Sequence, residues 1–483
     1  MDGMESKQVG LLINNEQVAT KESLKIFDPG KWTDCVGEVA VGSEAHVDQA
    51  VNAAHQAFLK WRELEVDERR AYLLKTAEVV KASTEELKTL LIREYGGVMW
   101  EAEYDFAGGN RVLQYYAEQG PTFLAPTHYD DAAGWIKNEK IPKGVVAAIV
   151  PWNMPIVLTM AKVGPALITG NTMVIKPSPT APLALTTLLH RMAEALPPGV
   201  INVVQGEADV GEALTKHPLV RKIAFTGGTE TGRSVMRSAA STIKDVTLEL
   251  GGNDPAIILD DANAADIIPN LAKGVFTRSG QICFAVKRIY VPQQMIDSFY
   301  DAFCQYVDEF NVGHGLDSRS TFGPLNNQKQ FSFVRGLIDK TKQSSATVRE
   351  LGRKLDPDNW NNGYYLLPHV VKTDDPQLDC VCCEQFGPII PIVPYANEDE
   401  AIQLANQLEQ GLCSSVWSSD VERAYRLARR IEAGATYINR HSLGTGPLGM
   451  PFGGVKQSGI GRELAGAETL SAYVENHAIR YMR

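Results

Sequence analysis

Apolar residues recur along the chain in two rhythms. Between 43 and 95 they return at helical spacing, and Val47, Val51, Ala54, Phe58 and Trp61 fall on one face. Ser43 stands where an N-cap residue belongs. The same rhythm predicts further helices over 67–82 and 84–95, packing elements without assigned chemistry. Residues 9–41 read as short strands with turns such as Asp28-Pro29-Gly30. From 144 onward, apolar runs of strand length alternate with helical stretches. The runs over 145–150, 171–175, 201–204 and 222–226 end at Pro151, Lys176, Gln205-Gly206 and Gly227-Gly228. This alternation predicts a parallel, doubly wound α/β sheet with its ligand at the carboxyl ends of the strands. After Gly252 a second α/β block is expected. Its strands lie over 256–259, 288–291, 390–395 and 435–439, and its helices over 294–310, 328–341, 399–407 and 421–431. The span 123–142 alternates polar and apolar residues and predicts an exposed hairpin or arm. The last residues, 470–483, alternate weakly and read as an edge strand without a partner nearby in sequence.

Length and charge narrow the classes. A chain of 483 residues has room for about three domains. A net charge of −11 without a basic cluster argues against nucleic acid or an anionic membrane as the partner. The apolar span 144–161 is long enough to raise the membrane question, but Pro151, Trp152, Asn153 and Pro155 interrupt it. Residues 1–20 carry Asp2, Glu5 and Glu16 and no apolar core, so no secretory signal is expected. Seven cysteines make an odd count for a disulfide framework and fit a reducing cytoplasm. Cys380, Cys382 and Cys383 stand in a CxCC spacing that suits tetrahedral zinc poorly, and no metal is expected.

Candidate chemistry centres on 277–288, TRSGQICFAVKR. Cys283 follows a glycine turn and precedes a strand, a setting open to a nucleophilic thiolate or to a small buried hydrophobe. FTGGTETG (225–232) follows a strand and opens a helix, so its backbone N–H groups can meet phosphate, or it is a plain turn. IKPS (175–178) offers Lys176 at a sheet end, as a ligand donor or a solvated cation. LELGGNDP (248–255) sets Glu249 between leucines, where desolvation raises a carboxylate toward general-base range. EQFGP (384–388) and PFGGVKQSGIGRE (451–463) are further glycine-rich segments. GxxxxGK[ST], HExxH and GxSxG are absent.

Taken together and in order, PWNMP (151–155), KPS, FTGGTETG, LELGG, GQIC (280–283), EQFGP and PFGGVKQSGIGRE resemble the aldehyde dehydrogenase superfamily over nearly the whole chain. The resemblance implies a Rossmann-like dinucleotide-binding domain (1–123 and 143–251), an α/β catalytic domain (252–457) and a small β oligomerisation arm (124–142 and 471–483). It implies that Cys283 attacks an aldehyde to give a thiohemiacetal, whose oxyanion is held by the Asn153 amide and the Cys283 N–H. Hydride then passes to a nicotinamide, and Glu249 activates the water that hydrolyses the thioester. Lys162 and Glu463 match positions that relay protons and hold that glutamate. Lys176 and Glu384 match residues that hold the two riboses, and Gly228 lies beside the pyrophosphate. Pro151, Trp152, Ser178, Gly206, Thr226, Gly227, Leu250 and Phe386 complete the implied cofactor site. NAD-preferring members often have an acid three places after the KP lysine, where this chain has Pro179, so the cofactor is NAD or NADP. LELGGK reads LELGGN here, with Asn253, and little effect is expected. The loop before Pro451 is longer than in the best-known members.

Three functions of different kinds compete. Glu249 argues against a CoA-acylating enzyme, which typically lacks that carboxylate. Cys283 and Glu249 together argue against a non-catalytic member. The remaining reading is an NAD(P)-dependent oxidation of an aldehyde to its acid. Met154, Leu158, Ile282, Phe284 and Leu448 are expected to face the substrate. Their apolar character favours a medium aliphatic or aromatic aldehyde. A carboxylate-bearing semialdehyde is the alternative, if Arg440 or His441 points inward. A homodimer or homotetramer is expected, with arm and tail pairing between subunits.

Overall fold

The computed structural model describes residues 8–441 and 448–483. Between 145 and 249 the buried apolar runs form five parallel strands, lying side by side as Asp245–Glu249, Val220–Thr226, Val145–Ile149, Thr172–Lys176 and Ile201–Val203. The chain order reverses between Val145–Ile149 and Val220–Thr226. A crevice opens at such a switch point beyond the strand carboxyl ends, and ligands bind there. Pro151 to Asn153 leave one of these two strands and Gly227-Gly228 the other. Short antiparallel strands, Gly459–Ile460 and Leu11–Ile13 with Glu16–Val18, close the edges.

A second sheet of seven strands holds Val286–Pro292 and Asp254–Ile258 at its centre, flanked by Ile389–Tyr395, His369–Lys372, Cys413–Trp417 and Ala435–Ile438, all parallel. Antiparallel Thr347–Glu350 closes one edge. Only Ala285 separates the Ile282-Cys283-Phe284 turn from the Val286–Pro292 strand, so that strand fixes where the thiol stands.

The helical reading of the first third needs two corrections. The elements expected at 67–82 and 84–95 are one helix, Val66–Tyr95. The Thr84 hydroxyl, which reads as a boundary, instead donates back to Val80 O at 3.1 Å within the helix. Its real end is Gly96, at φ 82°, whose N–H returns to Ile92 O. Met99–Leu124 is a further helix that the apolar rhythm did not reveal. Gly108 and Gly109 look like a turn in sequence. They instead let this helix approach Pro155–Ile168, where a Cβ on either would stand 3.1 Å from Val157 or from Ile156 and Met160.

The arm is also corrected. Thr127–Asp131 and Gly134–Pro142 form the expected hairpin, but the tail Val474–Met482 pairs along Gly134–Pro142 of the same chain. Val474 stands opposite Pro142 and Met482 opposite Gly134. Arm and tail thus partner each other, which the distance of 332 positions between Lys143 and Glu475, joined at 3.0 Å, hides in the sequence. Among the described residues no helix is long and apolar enough to cross a membrane. Part of the long loop before Pro451, 442–447, lies outside the described residues.

Candidate active site

The turn that carries Cys283 is held in a conformation it would not choose alone. Arg278 and Ser279 both have left-handed φ, 58° and 57°, ahead of Gly280 at 76°. Such strain persists only where the surroundings over-determine it. The Arg278 guanidinium stacks 3.6 Å above the Tyr95 ring and donates to Tyr95 O and Asn153 O, each at 3.0 Å. Its own N–H donates to Glu101 Oε1 at 2.5 Å, and Ser279 Oγ donates to Gly323 O at 2.8 Å. Gly280 admits no side chain, since a Cβ would lie 2.5 Å from Gly387 O.

Asn153 is fixed by the same turn. Its Nδ2 donates to Gln281 O at 2.9 Å and its Oδ1 accepts from Met154 N at 3.1 Å. An amide nitrogen has two N–H groups, so one remains beyond the bond to Gln281. The helix that starts two residues later is capped by Asp105, which accepts from Ile156 N at 3.1 Å and Val157 N at 2.7 Å. Burial pushes Asp105 up to about 7, against the two N–H groups it accepts.

Cys283, Glu249 and Asn153 all line one cleft of about 690 Å³ at the switch point. That volume is in the range of small-molecule and cofactor sites. Burial pushes the Cys283 thiol up to about 12, Lys287 works against this, and the charges of Glu384, Asp254 and Glu249 reinforce it. Glu249 ends its strand with 2% of its surface exposed, and among the described residues neither carboxylate oxygen makes a hydrogen bond of ordinary geometry. Burial, then the charge of Glu463, hold it well above the usual carboxylate range, with Lys162 and Arg462 opposing. Lys162 and Glu463 do not line the cleft. They form a buried ion pair at 2.6 Å behind it, and Lys162 also donates to Thr226 Oγ1 at 2.7 Å.

The remaining residues divide. Pro151, Trp152, Lys176, Ser178 and Thr226 line the same cleft, as do Gly227, Gly228, Leu250, Glu384 and Phe386. Gly228 opens the Thr229–Ala240 helix, and a Cβ there would meet nothing within 4 Å. Glu384 accepts from Gly252 N at 3.2 Å, and Trp152 meets Phe386 edge-on at 5.9 Å. Lys176 is brought down to about 8 by burial, with Glu207 and Asp209 opposing. Gly206 does not line the cleft; it is pressed against Val210, where a Cβ would stand at 2.4 Å. The helix N-terminus, a buried lysine and a carboxylate with open oxygens suit a phosphate-bearing nucleoside ligand.

A second cavity of about 380 Å³ shares Asn153 with the first and is lined by Met154, Ile282 and Phe284. Leu158 is instead buried in the helix core, and Leu448 packs against that core. Arg440 and His441 both border the cavity. His441 is buried, with its ring nitrogens on Ser415 Oγ at 3.0 Å and Phe284 O at 2.7 Å. Among the described residues no group of three or more His, Cys, Asp or Glu could hold a metal ion.

Four residues around the site carry no signature that spacing reveals: Asp105, Arg278, Glu207 and Lys287. Each is an ordinary charge in sequence and acquires meaning only through what folds against it.

Comparison with known proteins agrees with this geometry. The model of the Aldehyde dehydrogenase family matches residues 16–479. The 4-trimethylaminobutyraldehyde dehydrogenase A of Danio rerio is 34% identical over 458 residues, covering 94% of this chain and 89% of that protein. An aldehyde dehydrogenase from Bacillus cereus, solved as an NAD+ complex, superposes with a TM-score of 0.93 at 32% identity, over 99% of this chain and 97% of that one. The betaine aldehyde dehydrogenase of Staphylococcus aureus in complex with NAD+ gives 0.93 at 31% identity, over 98% and 94%. A cysteine, a carboxylate and an amide converging on one cleft at the switch point, in a chain matched nearly end to end, belong to one lineage: this protein is a member of the aldehyde dehydrogenase family.

Proposed function

We propose that the protein oxidises a medium-sized apolar or aromatic aldehyde to its carboxylic acid with NAD(P)+, through Cys283. The observation that carries this is the convergence of Cys283, Glu249 and Asn153 on one cleft that also holds Lys176, Gly228 and Glu384. In this reading 1–123 and 143–251 bind the dinucleotide, 252–457 supply the nucleophile, and 124–142 with 471–483 form the oligomerisation arm. When bound, the nicotinamide accepts a hydride. The chain's own groups do the rest. Cys283 Sγ adds to the aldehyde carbon, while the N–H that Asn153 does not spend on Gln281 O meets the developing oxyanion. After hydride loss the thioester stays on Cys283, and Glu249 takes a proton from the attacking water. Lys162 and Glu463 set the charge around Glu249 from behind. The test is reduction of NAD or NADP by a panel of aldehydes, followed by the ultraviolet absorbance of the product.

The panel also tests the substrate. Met154, Ile282 and Phe284 give the second cavity an apolar wall beside Asn153. His441 is committed to Ser415 and Phe284, so the case for a substrate carboxylate rests on exposed Arg440. Lys273 borders the same cavity with its ammonium 4.8 Å over the Trp100 ring. Glu101, Glu103 and Asp105 border the cavity as well, so charges of both signs are present and the apolar wall sets the preference. Hexanal- or benzaldehyde-like substrates are expected to exceed succinic semialdehyde in kcat/KM. The expected margin is about tenfold, from roughly 60 Å² of additional apolar burial. A preference for the semialdehyde that vanishes in Arg440→Ala would overturn this and name the anchor.

Cofactor choice turns on Glu207. Pro179 leaves the usual acidic place empty, but Glu207, at the start of the Ala208–Lys216 helix, borders the cleft together with Lys176 and Ser178. A carboxylate there can accept from a ribose hydroxyl and repels a 2′-phosphate. NAD is expected over NADP, and Glu207→Gln is expected to narrow the ratio of their kcat/KM values by about tenfold. An unchanged ratio would remove Glu207 from the selection. The exposed aromatic and aliphatic residues on the arm, Tyr129, Ile479 and Tyr481, support pairing between subunits. Light scattering is expected to return two or four times the 52.9 kDa chain mass.

A further inference from the structure

We infer that Lys287 is a positioning residue that joins the two halves of the reaction, locking the Cys283 turn and placing one positive charge between Cys283 and Glu384. The inference rests on the reading of Cys283 as nucleophile and Glu384 as a cofactor-holding carboxylate.

The geometry is specific. Lys287 lies in the Val286–Pro292 strand, four residues beyond Cys283, and its side chain is 2% exposed. The ammonium turns back over its own turn and donates to Ile282 O at 2.7 Å and Cys283 O at 2.8 Å, with Ala285 O at 3.4 Å. Glu384 Oε1 lies 3.8 Å away, close enough for charge and too far for a short bond. The Phe386 ring centre lies 6.0 Å from the same nitrogen. The backbone adds a second link, because Gln385 Nε2, next in sequence to Glu384, donates to Lys287 O at 2.9 Å. One residue therefore ties the nucleophile turn to the 384–386 segment through both side chain and main chain.

Three carbonyl contacts alone do not account for a charge here. A buried ammonium is costly to desolvate, and neutral donors would hold the same carbonyls. The charge has a use in this site. The ionisable groups acting on Cys283 are Glu384, Asp254 and Glu249, all acidic, with the Cys413 thiol also nearby; Lys287 is the cation that opposes them. Asp254 in turn faces His441 at 3.6 Å. Forming a thiolate among three carboxyl groups requires a compensating charge. The same charge steadies Glu384, which among the described residues otherwise accepts a hydrogen bond from Gly252 N–H alone.

The test reads local charge rather than access. Cys283 in the purified full-length protein is alkylated with neutral iodoacetamide and with anionic iodoacetate, at one pH and matched ionic strength, with Cys283→Ala as the blank. The iodoacetate-to-iodoacetamide rate ratio cancels thiolate fraction and access to first order. Lys287→Met is expected to lower this ratio at least about threefold and Lys287→Arg to keep it. Glu384→Gln is expected to raise it, and to raise the iodoacetamide rate itself. An equal ratio in wild type and Lys287→Met would reduce Lys287 to a strut and overturn the inference. Should Lys287→Met not fold, Lys287→Gln, which keeps a donor for the Ile282 and Cys283 carbonyls without the charge, carries the same expectation, and an unmoved ratio in it overturns the inference equally. Lys287→Met is also expected to weaken dinucleotide binding several-fold, read by fluorescence titration. A wild type that oxidises no aldehyde would sink the functional reading while leaving the alkylation ratios to judge Lys287.

Discussion

Cys283→Ala is expected to lower turnover by about 10⁴-fold or more while leaving dinucleotide affinity within about twofold of wild type. The size of the loss follows from the chemistry. Without a thiolate there is no covalent adduct, so a hydride would have to leave a hydrated aldehyde that nothing in the cleft holds. No neighbour can substitute. Cys413 is 1% exposed and does not border the cleft, and burial holds it well above the ordinary thiol range. Affinity is spared because the groups at the other end of the cleft, Lys176, Gly228 and Glu207, do not depend on the thiol. Steady-state kinetics on the best aldehyde of the panel and a fluorescence titration with NAD provide the two readings. Substantial steady-state activity in Cys283→Ala would refute the assignment of the nucleophile.

What the sequence made legible depended on how locally each feature is encoded. Four of the five parallel strands of the first sheet are short apolar runs, each closed by its own glycine, proline or polar step, and can be read directly. Asp245–Glu249 reads less clearly because Asp245, Val246 and Thr247 do not form an apolar run, although Val220–Thr226 pairs with it along its whole length. Met99–Leu124 was illegible for a different reason. Its buried face includes Glu101, Asp105, Gly108, Gly109 and Gly120, residues that break an apolar stripe. The acids are buried because they cap the Pro155 helix and the Arg278 turn, and the glycines because another helix lies against them. The tail is a nine-residue strand whose partner lies more than 330 positions away, beyond any local signal.

The site divides the same way. Cys283, Glu249 and Asn153 are legible because motif and resemblance coincide there. Gly206 belongs to the same class of signal yet packs on Val210, which shows that a glycine at a strand end can serve packing alone. Leu158 was placed toward the substrate by its distance from Asn153 in sequence. It lies four residues after Met154, one helical turn on, and that turn is buried. Lys287 and Arg278 look in sequence like the basic flanks of a motif. Their roles come from backbone carbonyls of Ile282, Cys283, Tyr95 and Asn153, and carbonyls have no letter in a sequence.

Glu249→Gln is expected to separate the two half-reactions. Hydride transfer needs Cys283, Asn153 and the dinucleotide; a carboxylate at 249 acts on these only through its charge, which pushes the Cys283 thiol up and which a glutamine relieves. Hydrolysis of the thioester needs a base within reach of a water beside Cys283, and Glu249 ends its strand on the same cleft with neither oxygen in a hydrogen bond of ordinary geometry among the described residues. A glutamine fills the same space and cannot take the proton. Mixing Glu249→Gln with NAD and aldehyde is therefore expected to give a burst of close to one reduced dinucleotide per active site. A steady-state rate lower than wild type by about 10²- to 10⁴-fold should follow. The pH dependence supplies a second reading with a fixed sign. Only the deprotonated form of Glu249 is a base, and burial with Glu463 holds its titration above the usual carboxylate range. Wild-type steady-state turnover should thus rise with pH over a limb displaced upward from that range, and the limb should be missing from the residual rate of Glu249→Gln. Rapid-quench or stopped-flow measurement of the burst decides the matter. Equal loss of burst and steady state would place Glu249 before hydride transfer, as the group that takes the thiol proton, and would reassign the base that hydrolysis needs.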